Sequence, residues 1–138
     1  MQTVSVIIPA HNEEQTIKGI LTSILNQKQS NFVLEKIIVV TDGCNDTTAA
    51  MARSISHPLV EVIENINREG KAHRINETTS LITSDLIFQV DADTTLGSKN
   101  TFSEMVAPFY TNTNLGLYAV TTLPFLQKIL FKRLQSLV

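Results

Sequence analysis

Two carboxylates two residues apart close an apolar run: residues 86–90 lead straight into Asp91-Ala92-Asp93. Alternate residues of an extended chain point the same way, so both side chains can face one site. Two hard oxygen donors that leave positions for water and phosphate suit Mg²⁺ or Mn²⁺. A solvated loop is the plainer account of the same triplet. Asp42, which follows another apolar run, can accept hydrogen bonds from a base or ribose edge, or simply serve the turn at Gly43. Gly70-Lys71 offers a backbone amide and an ammonium to phosphate oxygens at a helix start. A third acidic cluster, Pro9-Ala10-His11-Asn12-Glu13-Glu14, follows the first apolar run. Acidic clusters brought to one edge repel one another unless a cation or a hydrogen-bonding ligand lies among them.

These residues need elements to hold them, and two periodicities supply the elements. Residues 4–9 form a short, almost wholly apolar run, the pattern of a strand buried on both faces. Asn12 stands where a helix N-cap would. After it Ile17, Ile20, Leu21, Ile24 and Leu25 recur at helical spacing. A second strand over 34–40 enters the turn at Gly43, and Asn45 or Asp46 caps a short helix to about Ser54. Strands over 60–63, 86–90 and 115–120 follow, with helices over 70–81 and from Ser98 or Asn100 through Phe109. Strands alternating with helices predict right-handed crossovers and a three-layer α/β fold: a mainly parallel sheet with helices on both faces. In such a sheet ligands sit beyond the carboxyl ends of the strands, where strand order reverses. The three acidic clusters all fall at strand exits.

Composition narrows the function classes. The chain has 138 residues, 43% hydrophobic and 17% charged, enough apolar surface for one packed domain. A formal charge of −2 argues against nucleic acid held by bulk electrostatics. The lone Cys44 excludes an intrachain disulfide framework and a cysteine-based zinc site, and His11, His57 and His73 lack metal-ligand spacing. No Gly-x-Gly-x-x-Gly, Walker-type loop or Gly-x-Ser-x-Gly elbow is present, which sets aside dinucleotide oxidoreductases, P-loop enzymes and α/β-hydrolases. The N-terminus reads as having no targeting segment, so a cytoplasmic location is expected. Residues 1–121 read as the α/β domain and 122–138 as a basic amphipathic helix. Lys128, Lys132 and Arg133 give 124–138 a charge of +3, against −5 for the rest. Leu126, Ile129, Leu130, Leu134 and Leu137 fall on one helical side, suited to packing or to a membrane surface on the cytoplasmic face.

Four segments in order resemble the nucleotide-sugar-binding part of a family 2 glycosyltransferase with the GT-A fold. They are 4–14, then 38–48 through Thr41-Asp42-Gly43-Cys44, then Gly70-Lys71 with Asn76, and finally Asp91-Ala92-Asp93. The resemblance implies that Pro9, His11 and Glu13 line the nucleoside pocket, that Val40 and Asp42 flank the base, and that Lys71 lies near the diphosphate. Asp91, Ala92 and Asp93 match the Asp-x-Asp motif, with the two aspartates holding the ribose and a divalent metal, Mn²⁺ or Mg²⁺. Thr41 and Cys44 replace a commoner Asp and Ser, and His11 a frequent Tyr.

The implied partner is a UDP- or GDP-linked sugar, with the acceptor unspecified. The implied reaction is inverting transfer to an acceptor hydroxyl, in which metal and carboxylates stabilise the departing diphosphate. No general base is identified. Glu104 is the one acidic residue after Asp93, so the base is expected beyond Val138, in an acceptor half. Two alternatives stand beside this reading. One is a nucleotide-sugar-binding module without catalysis. The other is a haloacid-dehalogenase-like phosphatase using Asp91 as nucleophile, on the match of 89–96 to its strand-plus-Asp-x-Asp-x-Thr signature.

Overall fold

A computed structural model describes residues 1–112, 114, 117–122 and 127–133, the last two segments by backbone alone. The elements run β1 (Gln2–Ala10), α1 (Ile17–Leu25), β2 (Phe32–Thr41), α2 (Thr48–Arg53) and β3 (Val60–Ile63). They continue with α3 (Lys71–Thr79), β4 (Leu86–Gln89), α4 (Thr101–Thr111), β5 (Leu117–Thr122) and β6 (Gln127–Arg133). Strand order is β3-β2-β1-β4-β6-β5, parallel from β3 to β4, with β6 antiparallel to both β4 and β5. The expected α/β class and mainly parallel sheet are present.

Alternation along the strands divides the core in two. On β1 and β2 the residues Val4, Val6, Ile8, Ala10, Ile37 and Val39 face one layer. There they meet Ile17, Ile20, Leu21 and Ile24 of α1, Ala52 of α2 and Phe102, Met105, Val106 and Phe109 of α4. Ile7, Ile38, Val40 and Ile87 face the other layer with Ile82, covered by Ile75 of α3. Phe102 is the aromatic hub of the first layer. It is fully buried, meets Phe88 edge-to-face at 5.0 Å between centroids, and lies 6.1 Å from Phe32.

One boundary differs from the sequence reading for a local reason, and a second falls at the edge of the described residues. Asn12 does not cap α1; it adopts a left-handed φ of 52°. The helix starts at Ile17 because the Glu13 carbonyl takes the N–H groups of both Thr16 and Ile17 in an intervening turn. The fifth strand begins at Leu117, and 115–116 lie outside the described residues.

The C-terminal helix is the larger correction. Residues 127–133 form β6, paired along β4 from Leu86↔Arg133 to Gln89↔Leu130. A one-strand neighbourhood would leave the outer N–H and C=O groups of β4 unpaired, and an antiparallel strand satisfies them. Ile129 and Phe131 suit a strand as well as a helix, so the pairing partner decides. The basic helical face proposed for a membrane surface therefore does not form over 127–133, and 123–126 and 134–138 lie outside the described residues. Among the described residues no helix is long and apolar enough to cross a membrane.

Replacing Phe102 by Ala removes the ring shared by Phe88 and Phe32 from a core with no surface access. The expected loss is about 3–5 kcal/mol in urea unfolding. A loss under about 1 kcal/mol, the range of a surface change, would contradict this packing.

Candidate functional site

The chain runs from β1 outward through β2 to β3, then returns through α3 to place β4 on the other side of β1. Strand order therefore reverses between β1 and β4. Loops leaving adjacent strands part at such a point and open a crevice at the carboxyl edge. A cavity of about 290 Å³ lies there, lined by Pro9, Ala10, His11, Glu13, Asp42, Arg68, Gly70, Lys71, Asp91, Ala92 and Asp93. A larger cavity of about 370 Å³ sits on the α2–β3 side, around Ala52, His57 and Pro58. Its charged residue, Arg53, pairs with Glu64 at 2.7 Å, and no carboxylate lines it. Chemistry, not size, marks the first as the site.

Eight of the nine residues expected at the site meet in this one cavity. Val40 does not. It is 1% exposed and packs with Ile38 and Ile82 in the second core layer. Successive strand residues face opposite sides of the sheet, so Val40 shares the layer of Ile38 and supports the site only from beneath.

Asp42 sits differently from a free base-reading carboxylate. It is 5% exposed. Its Oδ1 accepts the Glu69 N–H at 2.8 Å and the Arg74 Nε–H at 3.0 Å, and its Oδ2 accepts the Gly70 N–H at 2.9 Å. Burial pushes the Asp42 carboxyl up. The Glu69 N–H, the Arg74 side chain and the Gly70 N–H outweigh it and hold the group below the ordinary carboxylate range. Arg74 is 3% exposed and also meets Glu69 at 3.1 Å and Glu77 at 3.0 Å. Composition gave no notice of Arg74. The available signal was helical: Arg74 and Thr78 share one buried face of α3 at i, i+4, and a buried arginine requires carboxylates.

The neighbouring turns are fastened to the same floor. Gly43 has φ +62°, and a Cβ there would lie 2.8 Å from both Arg68 N and Arg68 Cβ, so only glycine fits. The Gly43 N–H donates to Asn65 O at 2.9 Å. Thr41, the departure from a commoner Asp, accepts the Asn65 N–H on its Oγ1 at 3.2 Å and the Asn65 amide on its carbonyl at 3.0 Å. His11 donates from Nδ1 to the Asp42 carbonyl at 2.8 Å, which fixes its tautomer and ring. Cys44 lies outside the cavity lining and accepts the Asn12 N–H at 3.3 Å.

Asp91, Ala92 and Asp93 follow β4 directly. Asp91 Oδ1 is paired with Lys71 Nζ, the lysine half-exposed and the aspartate partly buried. Asp93 is exposed, while Ala92 between them is buried. The donor set is two accessible carboxylates on one short segment beside an ammonium, which fits a hard divalent cation and an anion together. Arg68 lines the cavity as well, and sequence reading did not single it out.

A family model described as glycosyl transferase family 2 matches residues 5–135. The chain belongs to that family. This membership removes the phosphatase alternative built on Asp91. Among relatives, 4,4'-diaponeurosporenoate glycosyltransferase of Staphylococcus aureus strain MRSA252 is 31% identical over 121 residues, 86% of this chain and 31% of that protein. The mannosyltransferase PcManGT of Pyrobaculum calidifontis, solved with GDP-Man and Mn²⁺, has the same fold. Its TM-score is 0.80 at 22% identity, over 94% of this chain and 44% of that one. Glucosyl-3-phosphoglycerate synthase of Mycobacterium tuberculosis, solved with Mn²⁺, UDP and phosphoglyceric acid, gives 0.70 at 24% identity, over 84% and 42%. This family 2 chain thus spans less than half the length of these relatives.

The buried Asp42 charge makes a pH prediction. Its folded pKa lies below the unfolded value of about 3.9, so its contribution is complete above that value and is lost as pH falls through the folded one. Asp42→Asn should cost about 3 kcal/mol at pH 7, because Arg74 is left buried without this partner. The deficit should shrink in urea melts taken toward pH 2. A deficit that stays constant to pH 2 would contradict the assignment.

Proposed function

We propose that this chain is the donor-binding part of an inverting, metal-assisted glycosyltransferase that takes a UDP- or GDP-linked sugar. One observation carries the reading: four separate segments converge at the strand-order reversal, putting Asp91, paired with Lys71, in one cavity with Asp93, Glu13 and Asp42. Asp91 and Asp93 would hold the cation, and Lys71 would turn from Asp91 to the diphosphate. A bound divalent cation supplies Lewis-acid stabilisation of the diphosphate as the anomeric C–O bond breaks. The chain's own part is to bind and orient. Pro9 and His11 border the nucleoside, Glu13 closes the cavity beside them, and the 68–71 segment forms the far wall.

An acceptor hydroxyl then attacks the anomeric carbon from the opposite face, losing its proton to a general base. Glu104 is exposed in the first turn of α4 and does not line the cavity. The base and the acceptor pocket are assigned to the remainder of a longer protein. This agrees with the relatives' greater length, and it makes the isolated chain a binding module.

With Mn²⁺ present, saturating UDP or GDP should raise the melting temperature, since ligand at 100 times Kd adds about 2.7 kcal/mol. Asp93→Ala should abolish the metal-dependent part of that shift. Absence of a shift with either nucleotide would overturn the donor reading. Sugar transfer by the chain alone would overturn its assignment as a binding part only.

A further inference from the structure

We infer that a groove between α1 and residues 93–95 is a second binding site of this chain, one that takes a neutral polyhydroxy ligand such as a saccharide. The groove has a volume of about 270 Å³ and shares a single lining residue, Asp93, with the donor cavity. It requires no nucleotide, so the inference goes beyond the donor reading and does not depend on it.

Two observations, one on each wall, point to a ligand. On the loop wall Thr94 is 5% exposed, and its Oγ1 has no hydrogen-bond partner among the described residues. The Thr94 N–H donates to the Asp91 carbonyl at 3.0 Å, so a turn holds the residue at the groove. A buried hydroxyl left unpaired costs stability, and native proteins pair nearly all such groups. A ligand hydroxyl would pair this one.

On the helix wall Gly19 stands inside α1. Glycine weakens a helix relative to alanine, and it is kept where φ is left-handed or the backbone is approached closely. Gly19 has no left-handed φ, and a Cβ built on it meets nothing within 4 Å. Nothing in the described fold requires glycine there. A ligand resting on the helix backbone does.

The lining selects the chemistry of that ligand. It contains no lysine, arginine or histidine, so an anion such as phosphate finds no cation to meet. Its one carboxylate is Asp93, which also faces the donor cavity. The other polar groups are the hydroxyls of Thr16, Ser23, Thr94 and Thr95 and the amide of Gln15, all able to donate and to accept. Thr16 Oγ1 donates to Glu13 Oε2 at 3.0 Å and keeps its acceptor positions. Ile20 and the bare Gly19 backbone add an apolar strip. Hydroxyls beside C–H faces make up the surface of a sugar ring, and a lining of this mixed kind matches it.

The test follows backbone amide shifts of the chain, in metal-free buffer, during titration with methyl α-glucoside, methyl α-mannoside and inorganic phosphate. At least one glycoside should shift Gly19, Ser23, Thr94 and Thr95 saturably and leave Gly43 and Gly70 in place, and phosphate should not shift the groove. Thr94→Val removes only the unpaired hydroxyl. It should weaken glycoside binding about two- to tenfold, the worth of one hydrogen bond, while Tm holds or rises. Gly19→Leu fills the groove from a better helix former, so it should keep or raise Tm and abolish the groove shifts. No saturable glycoside shift, equal shifts with phosphate, or wild-type binding by either variant would overturn the site. A lower Tm for Thr94→Val would show that the hydroxyl serves the fold, and would overturn it as well. Groove shifts that appear with UDP-glucose or GDP-mannose but with neither free glycoside would overturn a separate site and make the groove an extension of the donor cavity. Groove shifts with a glycoside, and none anywhere with UDP or GDP in Mg²⁺, would sustain the groove and overturn the donor reading alone.

Discussion

Asp42 gathers the N–H groups of Glu69 and Gly70 and the guanidinium of Arg74 onto one buried carboxylate, and the far wall of the cavity exists because of that grip. The segment between β3 and α3 has no ladder of its own, so its backbone groups need partners from elsewhere. Two come from Asp42. The Gly43 turn and Thr41 fasten the preceding residues to the same strand end. Arg74 in return offsets the upward push that burial gives the Asp42 carboxyl. The loop bearing Arg68 and Lys71 is in this way fixed before any ligand arrives, which lowers the ordering cost of binding.

The sheet supplies the second constraint. Reversal of strand order between β1 and β4 opens the crevice, and the strand exits fill it with acidic groups. Glu13, Asp91 and Asp93 share a space in which Lys71 offers one direct ion pair. Such a site favours a cation, and then an anion carried with it. A nucleoside diphosphate held with a divalent metal, the ligand proposed above, meets both demands.

Much of this was legible in the sequence. The buried parallel strands announce themselves as unbroken apolar runs, and acidic residues at their exits follow from the run ending in charge. Pro9, His11, Glu13, Asp42, Lys71, Asp91 and Asp93 come together as their positions imply. Three kinds of feature were not legible. Val40 lies in a run of buried residues, where composition cannot say which face each one takes; only register does. Strand β6 depends on an unpaired edge elsewhere in the fold, and a helical stripe of leucines says nothing of that edge. Arg74 is the third: its burial is matched to Asp42 across the fold, and the nearby Glu69 and Glu77 give no sign of that partner.

In the proposed reading the metal sits at the exit of β4 and the base of the nucleotide lies toward the exit of β2, both within one cavity. Paramagnetic broadening of backbone amides by Mn²⁺ with UDP or GDP measures that arrangement directly. Broadening should be strongest at Asp91, Ala92 and Asp93 and weaken steadily toward Gly43 and Arg68, whose resonances should shift with the nucleotide. Broadening centred on the α2–β3 cavity near His57, or nucleotide-induced shifts that leave Arg68 and Gly43 unmoved, would contradict it.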